Sequence, residues 1–240
     1  MCAESLRLSR EGNKLFEHGL HLLAANVYLH VFEAQEPGPT LLFQAGIHGD
    51  EIAGVHALEE MLEEGFAPKR GKLLVCPVMN PGAYRARQRR AHARGAYEGL
   101  DLNRSFPGDA AASAFESRLA ALFMSLVLTE RPALVCTLHE STKRYSKEVV
   151  PSFGQTLVYG IEPMPEVIGR VVGLLNATKL NDSENWEPQH YPVATSSTEV
   201  IVEATGCVGV CVETWMGFEE ARRIDMQKEV VRHFMSEFGA

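Results

Sequence analysis

At 240 residues the chain suits one α/β domain, 1–240, long enough to bury a sizeable core without disulfide staples. Forty-five per cent apolar and 22 per cent charged residues are ordinary for a soluble globular protein, and a net charge of −8 argues against nucleic acid as the main partner. Five cysteines give no disulfide framework, no run approaches the roughly 20 apolar residues of a membrane span, and the N-terminus lacks a signal-peptide core, so a cytoplasmic protein is expected.

The first 20 residues are polar and weakly patterned, and His18 and His21 read as surface histidines. Leu22 to Ala34 reads as one strand or a hairpin of two, and Glu36-Pro37-Gly38-Pro39 as a turn. Thr40 to Ile47 reads as a buried strand. Ile52, Val55, Leu58, Met61 and Leu62 recur at helical spacing, which predicts a helix over 52–64. Between the two lies Gln44-Ala45-Gly46-Ile47-His48-Gly49-Asp50-Glu51. His48 is expected at the strand tip and Glu51 in the first helical turn. Such a junction can aim an imidazole and a carboxylate at one point, as a divalent metal requires.

The spacing alone is not specific. His30/Glu33 repeats it in a strand-like run, where residues three apart face opposite ways, and His56/Glu59 repeats it in mid-helix. Only His48/Glu51 straddles a strand-to-helix junction, where ligands of open α/β sheets collect. On position alone, ligand and polar surface histidine both stay open for His48.

Lys72 to Val78 reads as a further strand, followed by a turn at Asn80-Pro81-Gly82-Ala83-Tyr84. The segment 80–108 has no clear period, carries Arg85, Arg87, Arg89, Arg90 and Arg94, and closes on Asp101-Leu102-Asn103-Arg104-Ser105-Phe106-Pro107-Gly108. Long loops of this kind inside compact domains are usually functional. Ser113 to Leu128 reads as an amphipathic helix with Ser113 and Glu116 in capping-box spacing. A strand over 133–138 leads to His139. A strand over 155–159 and a helix over 164–180 follow. The stretch 181–195 is polar and irregular, with Trp186, His190 and Tyr191 conspicuous in it. A short helix over 198–204, a strand over 206–213 ending on Glu213, and a helix over 219–237 complete the chain. This order favours a mixed twisted sheet with helices on both faces. Cys76 and Cys136 read as buried free thiols, and Cys207 and Cys211 have no second pair with which to build a metal site.

Three strand ends thus carry apt chemistry: His48 with Glu51, His139, and Glu213. Two histidines and a carboxylate are a common zinc set with a fourth position for water, whose pKa the metal lowers. Glu213 is then the expected general base and acid. An arginine suits both a developing oxyanion and a substrate carboxylate.

His48-Gly49-Asp50-Glu51, Asp101-Leu102-Asn103-Arg104, the lone His139 and the late Glu213 resemble the zinc carboxypeptidase superfamily. That superfamily includes the succinylglutamate desuccinylase and aspartoacylase deacylases. The resemblance runs from about Leu41 to Glu213, with Asp-Leu-Asn-Arg before Ser-Phe-Pro-Gly as its most specific piece. It implies that His48, Glu51 and His139 bind zinc and that Asp101 orients a metal-bound histidine. It implies that Asn103 and Arg104 hold the free carboxylate of the leaving amino acid. Arg89 is the implied carbonyl-polarising residue, with Arg87 and Arg90 as alternatives, and Tyr191 the implied loop tyrosine. The activity implied is hydrolysis of an amide bond beside a free carboxylate, on a small peptide or an N-acyl amino acid.

Two departures shape that expectation. About ten residues, Ala91 to Leu100, extend the segment between Arg89 and Asp101, and only 27 residues follow Glu213. The β-rich C-terminal domain of aspartoacylase-like deacylases is therefore not expected, and a cleft open to peptides or long acyl groups is. Two rival readings are a catalytically inactive binding module on the same scaffold and a Ser141/His139 esterase. The first predicts loss of a central residue, and His48, Glu51, Arg104, His139 and Glu213 are all present. The second lacks a Gly-x-Ser-x-Gly elbow.

Overall fold

Alternation over Val27-Tyr28-Leu29-His30-Val31 buries Val27, Leu29 and Val31 and turns Tyr28 outward, so this run is a strand, β2 (Val27–Glu33). It pairs antiparallel with β1 (Gly19–Ala24), which settles the 22–34 region as a hairpin. The computed structural model describes residues 16–91, 99–179 and 181–240. The sheet continues through β3 (Glu36–Gln44), β4 (Arg70–Cys76), β5 (Leu134–Ser141), β6 (Thr156–Tyr159), β7 (Glu187–His190) and β8 (Val208–Trp215). Its order is β1-β2-β4-β3-β5-β8-β6-β7, with β4, β3, β5 and β8 parallel at the centre and antiparallel pairings on either side. The mixed sheet expected from the sequence is the one found.

Helices cover both faces. On one, α1 (Ala53–Glu63), α4 (Glu166–Ala177) and α6 (Glu220–Phe238) bury Leu58, Val171 and Phe234 against Phe43, Cys136 and Val212. On the other, α3 (Phe115–Glu130) and α5 (Ser197–Thr205) bury Phe123, Val127 and Ile201 against Leu42, Leu74 and Val135. The chain leaves β3 through α1 to β4, and reaches β5, on the other side of β3, through α3 on the opposite face. The carboxyl ends of β3 and β5 therefore form a topological switch point, where a crevice opens. No described helix is long and apolar enough to cross a membrane.

Four local expectations change. Glu36-Pro37-Gly38-Pro39 belongs to β3, whose pairing with β4 shifts register between Glu36 and Thr40 and so accommodates the prolines. Asn80 to Tyr84 opens a short helix, α2 (Pro81–Ala86), because the Asn80 side chain accepts from the Ala83 N–H and Pro81 sits where a helix needs no donor. The Ser113/Glu116 capping box does not form, since α3 begins after Ala114 and leaves Ser113 a residue too early. Finally, 181–195 contains β7, an edge strand, and there Pro188 needs no ladder partner.

Candidate active site

β3 ends at Gln44, earlier than its apolar run suggests, because Gly46 (φ 62°) turns the chain after Ala45. The loop from Ala45 to Glu51 is held by N–H bonds from Met79 to the Ala45 carbonyl and from Asn80 to the Gly46 carbonyl. Gly49 lies against α2: a Cβ there would stand 1.9 Å from the Ala83 carbonyl oxygen. Glu51 is not in the first helical turn but just before Ile52, the N-cap of α1. Both His48 and Glu51 are buried.

Their partner His139 lies within β5, two residues before its end, with its side chain on the face opposite Glu140. His48 Nδ1 is 2.7 Å from Glu51 Oε1, and His139 Nδ1 is 2.5 Å from Glu51 Oε2. The two imidazole rings lie 4.9 Å apart. Glu51 Oε2 also accepts the Glu140 N–H at 3.2 Å.

Asp101 anchors three groups. Its Oδ1 accepts from His48 Nε2 at 3.2 Å and from the Asn103 N–H at 3.0 Å, while Oδ2 accepts from Arg89 Nε at 3.0 Å. Arg89 Nη1 then comes within 3.4 Å of His48 Nδ1 and 3.7 Å of Glu51 Oε1. Of the three arginines weighed, Arg89 is joined to this cluster by these contacts. Arg87 stacks over Tyr84, 4.8 Å from its ring centre, and Arg94 lies outside the described residues.

Burial would lower the pKa of His48, but Glu51 and Asp101 outweigh it and raise the group to about 9. Burial likewise works to raise Glu51 and Asp101, yet the facing histidines, joined at Asp101 by Arg89, hold both carboxyls well below the usual range. His139 is lowered, chiefly by burial. Glu213 stands beside His139 in the β5–β8 register, and burial followed by the Glu51 charge pushes it up to about 8.

Asn103 and Arg104 lie on a one-turn 3-10 helix, Leu102–Arg104, that Asp101 caps. Arg104 is exposed, and its Nη1 donates to the Asn103 carbonyl at 2.9 Å. Tyr191 follows β7 and packs edge-on against Phe153 at 4.8 Å, and no contact among the described residues joins it to the histidines. Glu203 is exposed on α5, and the Ser141 hydroxyl is tied to Lys143. Cys76, Cys136, Cys207 and Cys211 are all free thiols.

One support was not read from the sequence. Glu140 points away from the histidines, accepts the Ala53 N–H at the start of α1 at 2.9 Å, and pairs with Arg223 of α6. Gln227, also on α6, donates to the His139 carbonyl and to Thr214 Oγ1, both at 2.9 Å. Strand alternation puts Glu140 on the face opposite His139, and the packing of α6 decides what it meets there.

Residues 37–149 match the model of the succinylglutamate desuccinylase/aspartoacylase catalytic domain. Among curated proteins, the N-alpha-acetyl-L-2,4-diaminobutyric acid deacetylase of Halomonas elongata is 33% identical over 115 residues, 48% of this chain and 31% of its own length. Among solved structures, the product-bound cell shape determinant Csd4 of Helicobacter pylori has a TM-score of 0.76 at 16% identity, covering 89% of this chain and 55% of that one. The mDAP-bound form of Csd4, a D,L-carboxypeptidase, gives 0.71 at 17% identity, with 87% and 54% covered. The succinylglutamate desuccinylase/aspartoacylase of Rhodobacter sphaeroides gives 0.65 at 21% identity, with 89% and 59% covered. The chain thus spans about a third of its curated relative and little more than half of these solved chains. The segment 37–149, which is similar to the succinylglutamate desuccinylase/aspartoacylase catalytic domain, carries His48, Glu51, Asp101, Arg104 and His139.

Proposed function

We propose that this chain is a zinc-dependent hydrolase of an amide bond beside a free carboxylate, of the N-acyl amino acid deacylase or carboxypeptidase type. The observation that carries the reading is the convergence of two imidazole Nδ1 atoms on the Glu51 carboxylate. Similar proteins that include a deacetylase of an acetylated amino acid and a D,L-carboxypeptidase support the class.

The donor set suits zinc. Ligand atoms of His48, Glu51 and His139 all lie within 4.8 Å of one another, and all three side chains are buried. Asp101 engages His48 Nε2, which leaves Nδ1 as the donor atom. Zinc held by these three would supply Lewis acidity and a water activated at neutral pH.

The chain's own groups do the rest. Asp101 fixes Arg89 by its Nε, so the free edge of the guanidinium lies beside the ligand cluster, suited to a carbonyl oxygen gaining charge. Glu213, opposite His139 in the β5–β8 pairing, is the carboxylate that in this reading takes the proton of the attacking water and returns it to the leaving nitrogen, ionised there by the positive charge of a bound metal. Asn103 and Arg104 grip the substrate carboxylate, and Tyr191 is a further substrate contact in this reading.

Elemental analysis and a panel of N-acyl amino acids and short peptides test it, each substrate offered as free acid and as amide. Free acids should be cleaved about 10- to 150-fold better in kcat/KM, the worth of a charge-assisted pair. Arg104→Ala should erase most of that difference. Equal cleavage of acids and amides by the wild type would remove the carboxylate reading. Bound zinc with no turnover on the whole panel would point instead to a binding module on this scaffold.

A further inference from the structure

The α5 helix begins at Ser197, whose N–H donates to Asn103 Oδ1 at 3.0 Å. The Ser197 hydroxyl lies 3.4 Å from the same oxygen. Asn103 is far away in sequence, on the turn capped by Asp101, and its own N–H is bound to Asp101. Backbone and side chain of Asn103 are thus pinned from two directions. An N–H can only face the amide's oxygen, so the NH2 end of Asn103 must point the other way. Among the described residues that NH2 has no hydrogen-bond partner, and Asn103 is half-buried at the edge of the site.

Beneath this contact runs a buried polar plate. Gln44 Nε2 donates to Ser197 Oγ at 3.1 Å and to Thr137 Oγ1 at 2.8 Å, and Thr137 Oγ1 meets Thr198 Oγ1 at 2.9 Å. Gln44 closes β3 and Thr137 precedes His139 by two residues on the same face of β5. The start of α5 is therefore fastened to the two strands that lead to the metal-ligand cluster.

We infer that Ser197 is a positioning residue for substrate specificity: its N–H locks the Asn103 amide with both donors facing the cleft, at a fixed span from His48 and His139. The inference rests on the proposed carboxylate reading and deepens it. A substrate carboxylate accepts from those donors. An amidated substrate keeps one carbonyl oxygen for those donors but loses the charge and the second acceptor, so the contact is weakened. The polar plate sets how far from the carboxylate the bond to be cleaved must lie.

The local structure offers a clean test. Ser197 is the first helical residue after the N-cap Ser196, a position where proline keeps the helix while deleting the N–H. Ser197→Ala keeps the N–H and deletes only the hydroxyl. Each variant is assayed with an Nα-acetyl-L-amino acid turned over by the wild type and with its C-terminal amide. In Ser197→Pro the acid-over-amide ratio in kcat/KM should fall about tenfold or more, mostly through a raised KM for the acid. Ser197→Ala should retain most of the ratio. Binding of N-acetylglycine, followed through the Asn103 side-chain NH2 resonances, should weaken in the same order without any turnover. A wild type indifferent to acid and amide sinks the carboxylate reading itself. A wild type that discriminates, with Ser197→Pro discriminating equally, sinks only the role of Ser197. If Ser197→Pro does not fold, hydrogen exchange decides: Asn103→Ala should speed exchange of the Ser197 N–H while leaving the Val200 N–H protected, and an unchanged Ser197 rate overturns the inference.

Discussion

His48 and His139 reach opposite oxygens of one carboxylate, each through Nδ1, at 2.7 and 2.5 Å from Glu51. The three side chains come from a loop after β3 and from the body of β5, so the meeting is made by the parallel pairing of those strands. About one zinc per chain is the expected occupancy. His139→Ala leaves two protein donors and should release most of the metal in elemental analysis after gel filtration. Full occupancy in that variant would remove His139 from the ligand set.

The metal-free protein should lose stability as pH rises. His48, raised to about 9 from 6.5, is charged in the folded protein where an unfolded chain would be neutral. Its contribution is complete below about pH 6.5 and gone above about pH 9. Glu213, raised to about 8 from 4.5, acts in the same direction: the folded state keeps a proton that the unfolded state has already released. Thermal melts of chelator-treated protein at pH 6 and pH 9 should therefore give the higher Tm at pH 6. An equal or higher Tm at pH 9 would contradict the arrangement of charges described above.

Glu213 and Glu140 separate by what they touch. Glu213→Gln should keep the metal and fold while kcat drops roughly 10²-fold or more. Arg223→Met should instead act on stability, because it strands the fully buried Glu140 carboxylate without its cation. Breaking such a pair costs about 3–5 kcal/mol, readable as a fall in urea midpoint. Near wild-type kcat in Glu213→Gln, with Glu140→Gln inactive at full metal content, would transfer the catalytic role to Glu140.

Arg89 is half-exposed, so its loss should cost little stability. Arg89→Ala should nevertheless lower kcat by about 10²- to 10³-fold, the usual cost of removing one donor from a developing oxyanion. Zinc content should persist, because Arg89 supplies no ligand atom. A variant with normal kcat would leave the guanidinium as a mere clasp for Asp101.

The sheet was legible because its central strands are continuous apolar runs and its helices have clear periods. The meeting of His48, Glu51 and His139 was legible because His48 and Glu51 flank a junction and His139 ends an apolar run. Boundaries failed where tertiary pairing overrode local chemistry. Pro37 and Pro39 look like a turn until β4 lies alongside, and Pro188 sits in a strand that only its edge position allows. The Asn80 cap converts an apparent turn into α2, against which Gly49 packs. Tyr191, suggested by resemblance as a substrate contact, packs on Phe153. Ser197 gives no local sign of its contact with Asn103, 94 residues earlier. Such contacts are invisible to any reading of spacing.

Asp101 holds the His48 imidazole, the Arg89 guanidinium and the backbone of Asn103 with only two oxygens. Any force on one of these is felt by the others through a single rigid group. Filling the metal position should therefore tighten the grip on substrate carboxylate, and by thermodynamic reciprocity bound carboxylate should raise metal affinity by the same factor. The same sharing constrains descent. A lineage could not retune its metal preference at Asp101 without also moving its substrate register, so change at this position would have to be bought with compensating change at Arg89 or Asn103.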